Sequence, residues 1–259
     1  MPTADTTIGD KLRRIESGEM TRLEAFSDAV FAFAITLLVV SLEVPRTFTE
    51  LAATMRGFIA FAISFTILVW IWFQHARFFR RFRMEDAGTV AINGVLLFVV
   101  VFYVYPMKFL WNTLFTLWTD GPRQVLDANG VMQPILVRGQ MAHLMAIYAI
   151  GFMAIFLAFA ALYFLAYARR RRLALDELQT FDALSGIWEN LAVAGVAVLS
   201  LVIALAGGSG WSGLAGMTFG LIGPVKAIHG YLHGSRRSKL EEQLKSTPAA
   251  SDPFPARAS

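Results

Sequence analysis

Residues 22–40 read Arg22-Leu-Glu-Ala-Phe26-Ser27-Asp28-Ala-Val-Phe-Ala-Phe33-Ala-Ile-Thr36-Leu37-Leu38-Val-Val40, an aliphatic and aromatic run with Asp28 about one turn inside it. Thr21 ahead of the run and Glu24 three residues later form a capping box, and Pro45 closes it, so the spacing predicts a helix from about Glu24 to Val44. At 1.5 Å per residue a helix of that length crosses a hydrocarbon core of about 30 Å. Comparable runs recur at Gly57 to His75, Ala87 to Trp111, Met141 to Ala168, Ile187 to Ala206 and Trp211 to Tyr231. A backbone in lipid must satisfy its own hydrogen bonds, so each run is read as a helix. The expectation is an all-α, polytopic membrane protein with six transmembrane helices, and the lipid bilayer as its first partner.

Composition points the same way. The chain is 56% hydrophobic with a mean hydropathy of +0.55, and only 16% of its residues are charged, against about 25% in soluble domains. A soluble helical bundle is a poor fit to spans this long and this free of charge. The net charge of +4 does not mark a nucleic-acid partner, because the basic residues sit in short blocks between apolar runs. Without cysteine there is no disulfide, thiolate nucleophile or cysteine metal site. A polar stretch with Asp5, Asp10, Glu16 and Glu19 precedes the first run, which is therefore expected to stay in the mature protein.

Basic blocks set the expected orientation. Lys11, Arg13, Arg14 and Arg22 precede the first span; Arg77, Arg80, Arg81 and Arg83 follow the second; Arg169 to Arg172 follow the fourth; Lys226, Arg236, Arg237, Lys239, Lys245 and Arg257 lie at the C-terminal end. The alternate connections hold only Arg46, Arg56, Lys108, Arg123 and Arg138. That bias predicts six spans with both termini cytosolic. The domain reading is a polar N-terminal tail at 1–20, a helical membrane domain at 21–232 and a basic, then Pro/Ala/Ser-rich, cytosolic tail at 233–259. The third connection, about Asn112 to Gln140, is expected as a long interfacial loop on the outer side. Gly207-Gly208-Ser209-Gly210 is expected as the tight turn before the last span.

A carboxylate inside an apolar helix is costly unless paired, by about 2.5 to 3.5 kcal/mol at mid-helix. The partners considered for Asp28 are Arg22, His75 near the end of span two and Asn93 in span three. Arg22 and Asp28 are six residues apart, so their side chains diverge by about 120° around one helix, and a link to another helix is the natural solution. Phe26, Ala29, Phe33, Thr36, Leu37, Val40 and Val44 recur at spacings of three and four and form one stripe. Taken alone, such a stripe is more often packing than a pore lining, and the polar residues alone read as a clamp between helices.

The run Arg22-xxx-Phe26-Ser27-Asp28, followed by Ala-Val-Phe-Ala-x-Ala-Ile-Thr36-Leu-Leu, with Trp70-Ile-Trp72-Phe-Gln-His75 and Asn93-xx-Leu-Leu-Phe with Pro106, resembles the transmembrane-protein-175 family of potassium channels over about the first 110 residues. The resemblance implies a potassium-permeable pore formed by first helices around a central axis. One six-span unit implies a homotetramer, and Phe181-Asp182-Ala183-Leu184 is too poor a match to be a second motif. It further implies constriction layers at Phe33, Leu37 and Val40, a hydroxyl layer at Thr36, and an interhelical network of Arg22, Phe26, Ser27, Asp28, His75 and Asn93. Phe33 stands where the family usually has Ile or Leu. Modest potassium over sodium selectivity, location in the cell membrane, and no cofactor or bound metal beyond the permeant potassium ion are the corresponding expectations.

Other signals carry less. His229 and His233 share a helical face, but the Glu of a metalloprotease helix is missing, so they are read as surface or interfacial. Gly213, Gly216, Gly220 and Gly223 have the spacing of close helix packing. No phosphate loop, dinucleotide fingerprint or serine elbow suggests an enzyme or a small-molecule substrate. The alternatives from other classes are a secondary transporter, though the early motif does not recur in the later half, and a non-conducting membrane scaffold.

Overall fold

In the computed structural model, which describes residues 20–40, 45–119, 124–126, 131–134, 136 and 139–246, the chain is built almost wholly of helices. They are α1 (Arg22–Val40), α2 (Phe48–Arg56), α3 (Phe58–Phe82), α4 (Ala87–Thr119), α5 (Gln140–Ala168), α6 (Glu177–Thr218) and α7 (Ile222–Ser246). Strands β1 (Gln124–Leu126) and β2 (Met132–Pro134) form a small antiparallel hairpin between α4 and α5. Five helical segments are long and apolar enough to cross a membrane: α1, α3, α4, α5 and the part of α6 up to Gly208.

The first span begins as expected, with the Thr21 hydroxyl accepting from the Glu24 amide. Val44, the last member of the stripe, lies outside the described residues. Two expectations about loops are corrected. The second span does not stop at His75 but runs to Phe82, because Phe78, Phe79 and Phe82 are buried and hold the extra turns in the core. Arg77, Arg80 and Arg81 therefore sit on helix, not in a connection. The third connection is shorter than read, since α4 continues helically through Pro106 to Thr119 and the hairpin fills part of the remainder.

The glycine turn near the end is where it was expected, but the final span is not one clean helix from Trp211 to Tyr231. Gly208 has φ 55° and ψ −146°, a conformation open to glycine and strained for other residues. There the chain doubles back on itself: Ser200 Oγ donates to the Ala215 carbonyl at 2.8 Å, Lys226 meets Glu189, and His233 meets Asp182. The returning segment passes through a short 3-10 turn, Phe219–Leu221, before α7. Residues 233–246, expected as tail, continue α7 as helix.

α1 packs on α3 and α4, α3 and α4 on each other, α4 on α5, α5 along α6, and α6 on α7. The closest backbone approaches differ from the predicted glycine row. A Cβ on Gly151 would fall 2.4 Å from the Tyr103 ring, and one on Gly186 2.3 Å from the Tyr163 ring, whereas Gly213, Gly220 and Gly223 face open space. Of the predicted row only Gly216 faces a neighbouring helix, where a Cβ would lie 3.6 Å from Met145 Sδ.

Candidate functional site

The polar residues of α1 point into the bundle through Ser27. Its hydroxyl is fully buried and donates to the Leu23 carbonyl at 2.7 Å. Asn93 of α4 donates from Nδ2 to Ser27 Oγ at 2.9 Å, and its Oδ1 pairs with His75 Nε2 of α3 at 2.8 Å. With the Asn93 amide so directed, Nε2 carries the proton and donates. Three helices are thus joined by hydrogen bonds running His75 to Asn93 to Ser27 to the α1 backbone. The His75 ring lies against Phe31 of α1 and Phe79 of α3, with centroids 5.3 and 4.5 Å away. Such bonds in an apolar medium contribute modestly, about 0.6 kcal/mol on average and up to roughly 1.7. Their larger effect is rotational, because α1 cannot turn without breaking them.

Asp28 finds a partner other than those considered from sequence. It accepts from the Trp72 indole Nε1 at 2.8 Å. Asp28 and Ser27, adjacent in sequence, diverge by about 100° on the helix, so one reaches the Trp72 side of α3 while the other faces α4. Among the described residues no hydrogen bond or ion pair joins Arg22 to Asp28, and Arg22 is exposed. Phe26 also points away from the network and is 61% exposed. The structure therefore brings Ser27, His75 and Asn93 together, attaches Asp28 through Trp72, and leaves Arg22 and Phe26 outside. Trp72 as hydrogen-bond partner and Phe31 as ring partner were not singled out. Trp72 stood in the quoted motif of span two, and its place three residues, one helical turn, before His75 was the further signal that could have paired it with Asp28.

The opposite face of α1 is largely exposed among the described residues, with Leu37 at its edge packed against the core. Phe33 is 55% and Val40 71% exposed, Thr36 is exposed, and Leu37 is half-buried. The buried face is Glu24, Ser27, Phe31, Ala34 and Leu38. Thr36 donates to the Ala32 carbonyl at 2.9 Å, so its proton is used within the helix while its oxygen lone pairs stay available. An apolar face carrying one hydroxyl layer is chemically suited to line a narrow dehydrating passage. It holds no acid, base or nucleophile in a catalytic arrangement.

Outside the spans, Asp86 caps the start of α4, accepting from the Gly88 and Thr89 amides and the Thr89 hydroxyl, and pairs with Arg169 at the end of α5. Burial works against its charge, but the bonds from Arg169 and Thr89 prevail and hold the carboxyl at about 2.

These features define a polytopic helical membrane protein whose first helix presents an unsatisfied apolar face. The model of the family described as endosomal/lysosomal potassium channel TMEM175 matches residues 22–103. A potassium channel of Marivirga tractuosa is 38% identical over 231 residues, covering 86% of this chain and 91% of its own length. The crystal structure of a Thr-to-Ala variant of the potassium channel MtTMEM175 with a Nanobody-MBP fusion protein is similar at a TM-score of 0.70 and 36% identity, over 84% of this chain and 94% of that one. A TMEM175 homolog from Chamaesiphon minutus, described as a lysosomal potassium-selective channel, shares the fold at a TM-score of 0.54 and 24% identity, over 80% and 96% of the two chains. The chain belongs to the TMEM175 family, a family of channels and not of enzymes.

Proposed function

We propose that the chain is the subunit of a homotetrameric, potassium-permeable cation channel of the cell membrane, with α1 lining the pore. The observation that carries this reading is the division of α1 into a face locked by the Ser27–Asn93–His75 chain and an opposite face on which Phe33, Thr36 and Val40 stand exposed among the described residues, with Leu37 half-buried at its edge. Its potassium-channel relatives support the permeant ion. A ring of Phe33, Leu37 and Val40 layers strips water from a cation and offers no replacement ligand, so it holds ions back by dewetting. The Thr36 oxygens, one layer away, return part of the lost hydration and favour the ion that dehydrates more cheaply, giving modest preference for potassium over sodium.

The hairpin at Gly208 supports a count of six membrane-crossing segments, and the alternating basic blocks support cytosolic termini. The pore needs no cofactor or resident metal, only the permeant ion. The deciding experiment is potassium-gradient flux through the purified protein in liposomes. Passive flux driven by potential and insensitive to a second solute is the expected outcome. Saturable, coupled flux identifies a transporter instead, and absence of flux leaves a scaffold.

A further inference from the structure

A second polar assembly lies away from α1. Between α3, α6 and α7, with Tyr163 of α5 in its wall, is a cavity of about 360 Å³, within the range of ligand sites. Glu189 of α6 holds Arg77 of α3 at 3.4 Å and Lys226 of α7 at 2.7 Å. Asp182, two turns earlier on α6, pairs with Arg81 of α3, holds Arg237 of α7 at 3.4 Å and lies 3.0 Å from His233 Nε2. His229 stands 3.9 Å from Glu189 and shares a hydrogen bond with Ser185 at 3.1 Å. The histidines read as surface or interfacial lie within this cluster, each side chain about a quarter exposed.

Each carboxylate sits between two basic side chains, one from α3 and one from α7. Arg237 also lies 3.7 Å from Glu241, which Lys245 shares, so four cations at the crevice meet Glu189, Asp182 and part of Glu241, and a surplus of positive charge remains before either imidazole is counted. Such a surplus among membrane helices is costly without a counter-anion or water. The crevice is also two-ended. Arg81 and Arg237 stand at the end of the bundle that carries the Arg169 to Arg172 block, whereas Trp70 and the half-exposed Phe73 line the other end, with the Lys226 ammonium 4.8 Å over the Trp70 ring.

We propose that this crevice binds the phosphate of an anionic phospholipid headgroup, with Arg77, Arg81, Lys226 and Arg237 supplying the charge and the aromatic end receiving the glycerol and first chain carbons. Basic pockets between transmembrane helices suit such headgroups, and guanidinium groups match phosphate oxygens in pairs. A free phosphate has the same anion chemistry but nothing to place against Trp70 and Phe73.

The test uses the full chain in detergent, with short-chain phosphatidylglycerol, phosphatidylcholine of equal chain length, or inorganic phosphate added, read by thermal unfolding and native mass spectrometry. Phosphatidylglycerol is expected to raise the unfolding temperature and remain bound where phosphatidylcholine does not. Arg77→Gln leaves Glu189 with Lys226, and Arg237→Gln leaves Asp182 with Arg81 and Glu241 with Lys245, so both variants should stay folded without lipid. Each should weaken phosphatidylglycerol binding about fivefold, the loss expected for one basic residue at a membrane surface. Binding of inorganic phosphate without the lipid keeps the anion site and makes soluble phosphate its source. Equal binding of the two lipids, or unchanged phosphatidylglycerol binding in the variants, overturns the proposal. If Arg77→Gln does not fold, Arg237→Gln carries the comparison, and because no step reads current the result stands whether or not the chain conducts.

Discussion

Asn93 uses both ends of its amide, giving a proton to Ser27 and taking one from His75. No other residue type of that size offers a donor and an acceptor in this geometry, so Asn93→Leu should strand the buried His75 Nε2–H and take from Ser27 Oγ the bond it accepts, while Asn93→Asp keeps only the acceptor. We expect Asn93→Leu to lower stability by about 1 to 3 kcal/mol, measured as thermal unfolding in detergent; an unchanged melting curve would mean the chain of bonds does not hold α1. Phe33 acts on the other face. If it is the dewetting layer, Phe33→Ala should raise resting potassium leak in liposomes at unchanged stability, because its ring is more than half exposed in the protomer and little packing is lost. Leak equal to that of the parent would place the constriction elsewhere. That Ser27, Asp28, His75 and Asn93 could clamp helices together was legible from residue type and position, whereas the constriction at Phe33 came only from the family resemblance. The pairing was not legible, since Asp28 went to the Trp72 indole and the buried hydroxyl of Ser27 took Asn93.

At the scale of elements, the α6–α7 hairpin depends on one backbone conformation. Gly208→Ala places a Cβ where φ is 55° and ψ −146°, at a cost of about 1 to 3 kcal/mol. The expected readout is a lower unfolding temperature, with a similar loss absent from Gly213→Ala, where the new methyl meets open space. Helix packing is equally specific at Gly151→Val, which must displace the Tyr103 ring and weaken the α4–α5 contact. Asp86 ties the start of α4 to the end of α5. Its carboxyl titrates at about 2 in the folded protein, against about 3.9 when unfolded. Being depressed, it contributes stability that is present above about pH 4 and lost as pH falls through 4 towards 2. The difference in unfolding temperature between the parent and Asp86→Asn should therefore be constant near neutrality and shrink across that window. A difference that does not change with pH would show that the Arg169 pair carries no folding energy.

For the whole molecule, the prediction is about assembly. The chain has no cysteine, so Val40→Cys carries a single thiol at the exposed end of the α1 face. A flexible bis-maleimide should join such thiols between protomers if four α1 helices surround one axis, and the complex should have the mass of four chains. Exclusive recovery of monomers would turn that face outward to lipid and remove the pore.

Helix identity, approximate span positions and the glycine turn were written locally, because an apolar run of that length has few alternatives in lipid and glycine alone tolerates the backbone at Gly208. Helix ends were misread where aromatic residues such as Phe78, Phe79 and Phe82 extend α3, since their burial is supplied by other helices. The same holds for the cluster at Asp182 and Glu189, whose partners come from segments about a hundred residues earlier and about forty to fifty later. Only the doubling back of the chain sets those charges side by side, and no local pattern encodes a distance between helices.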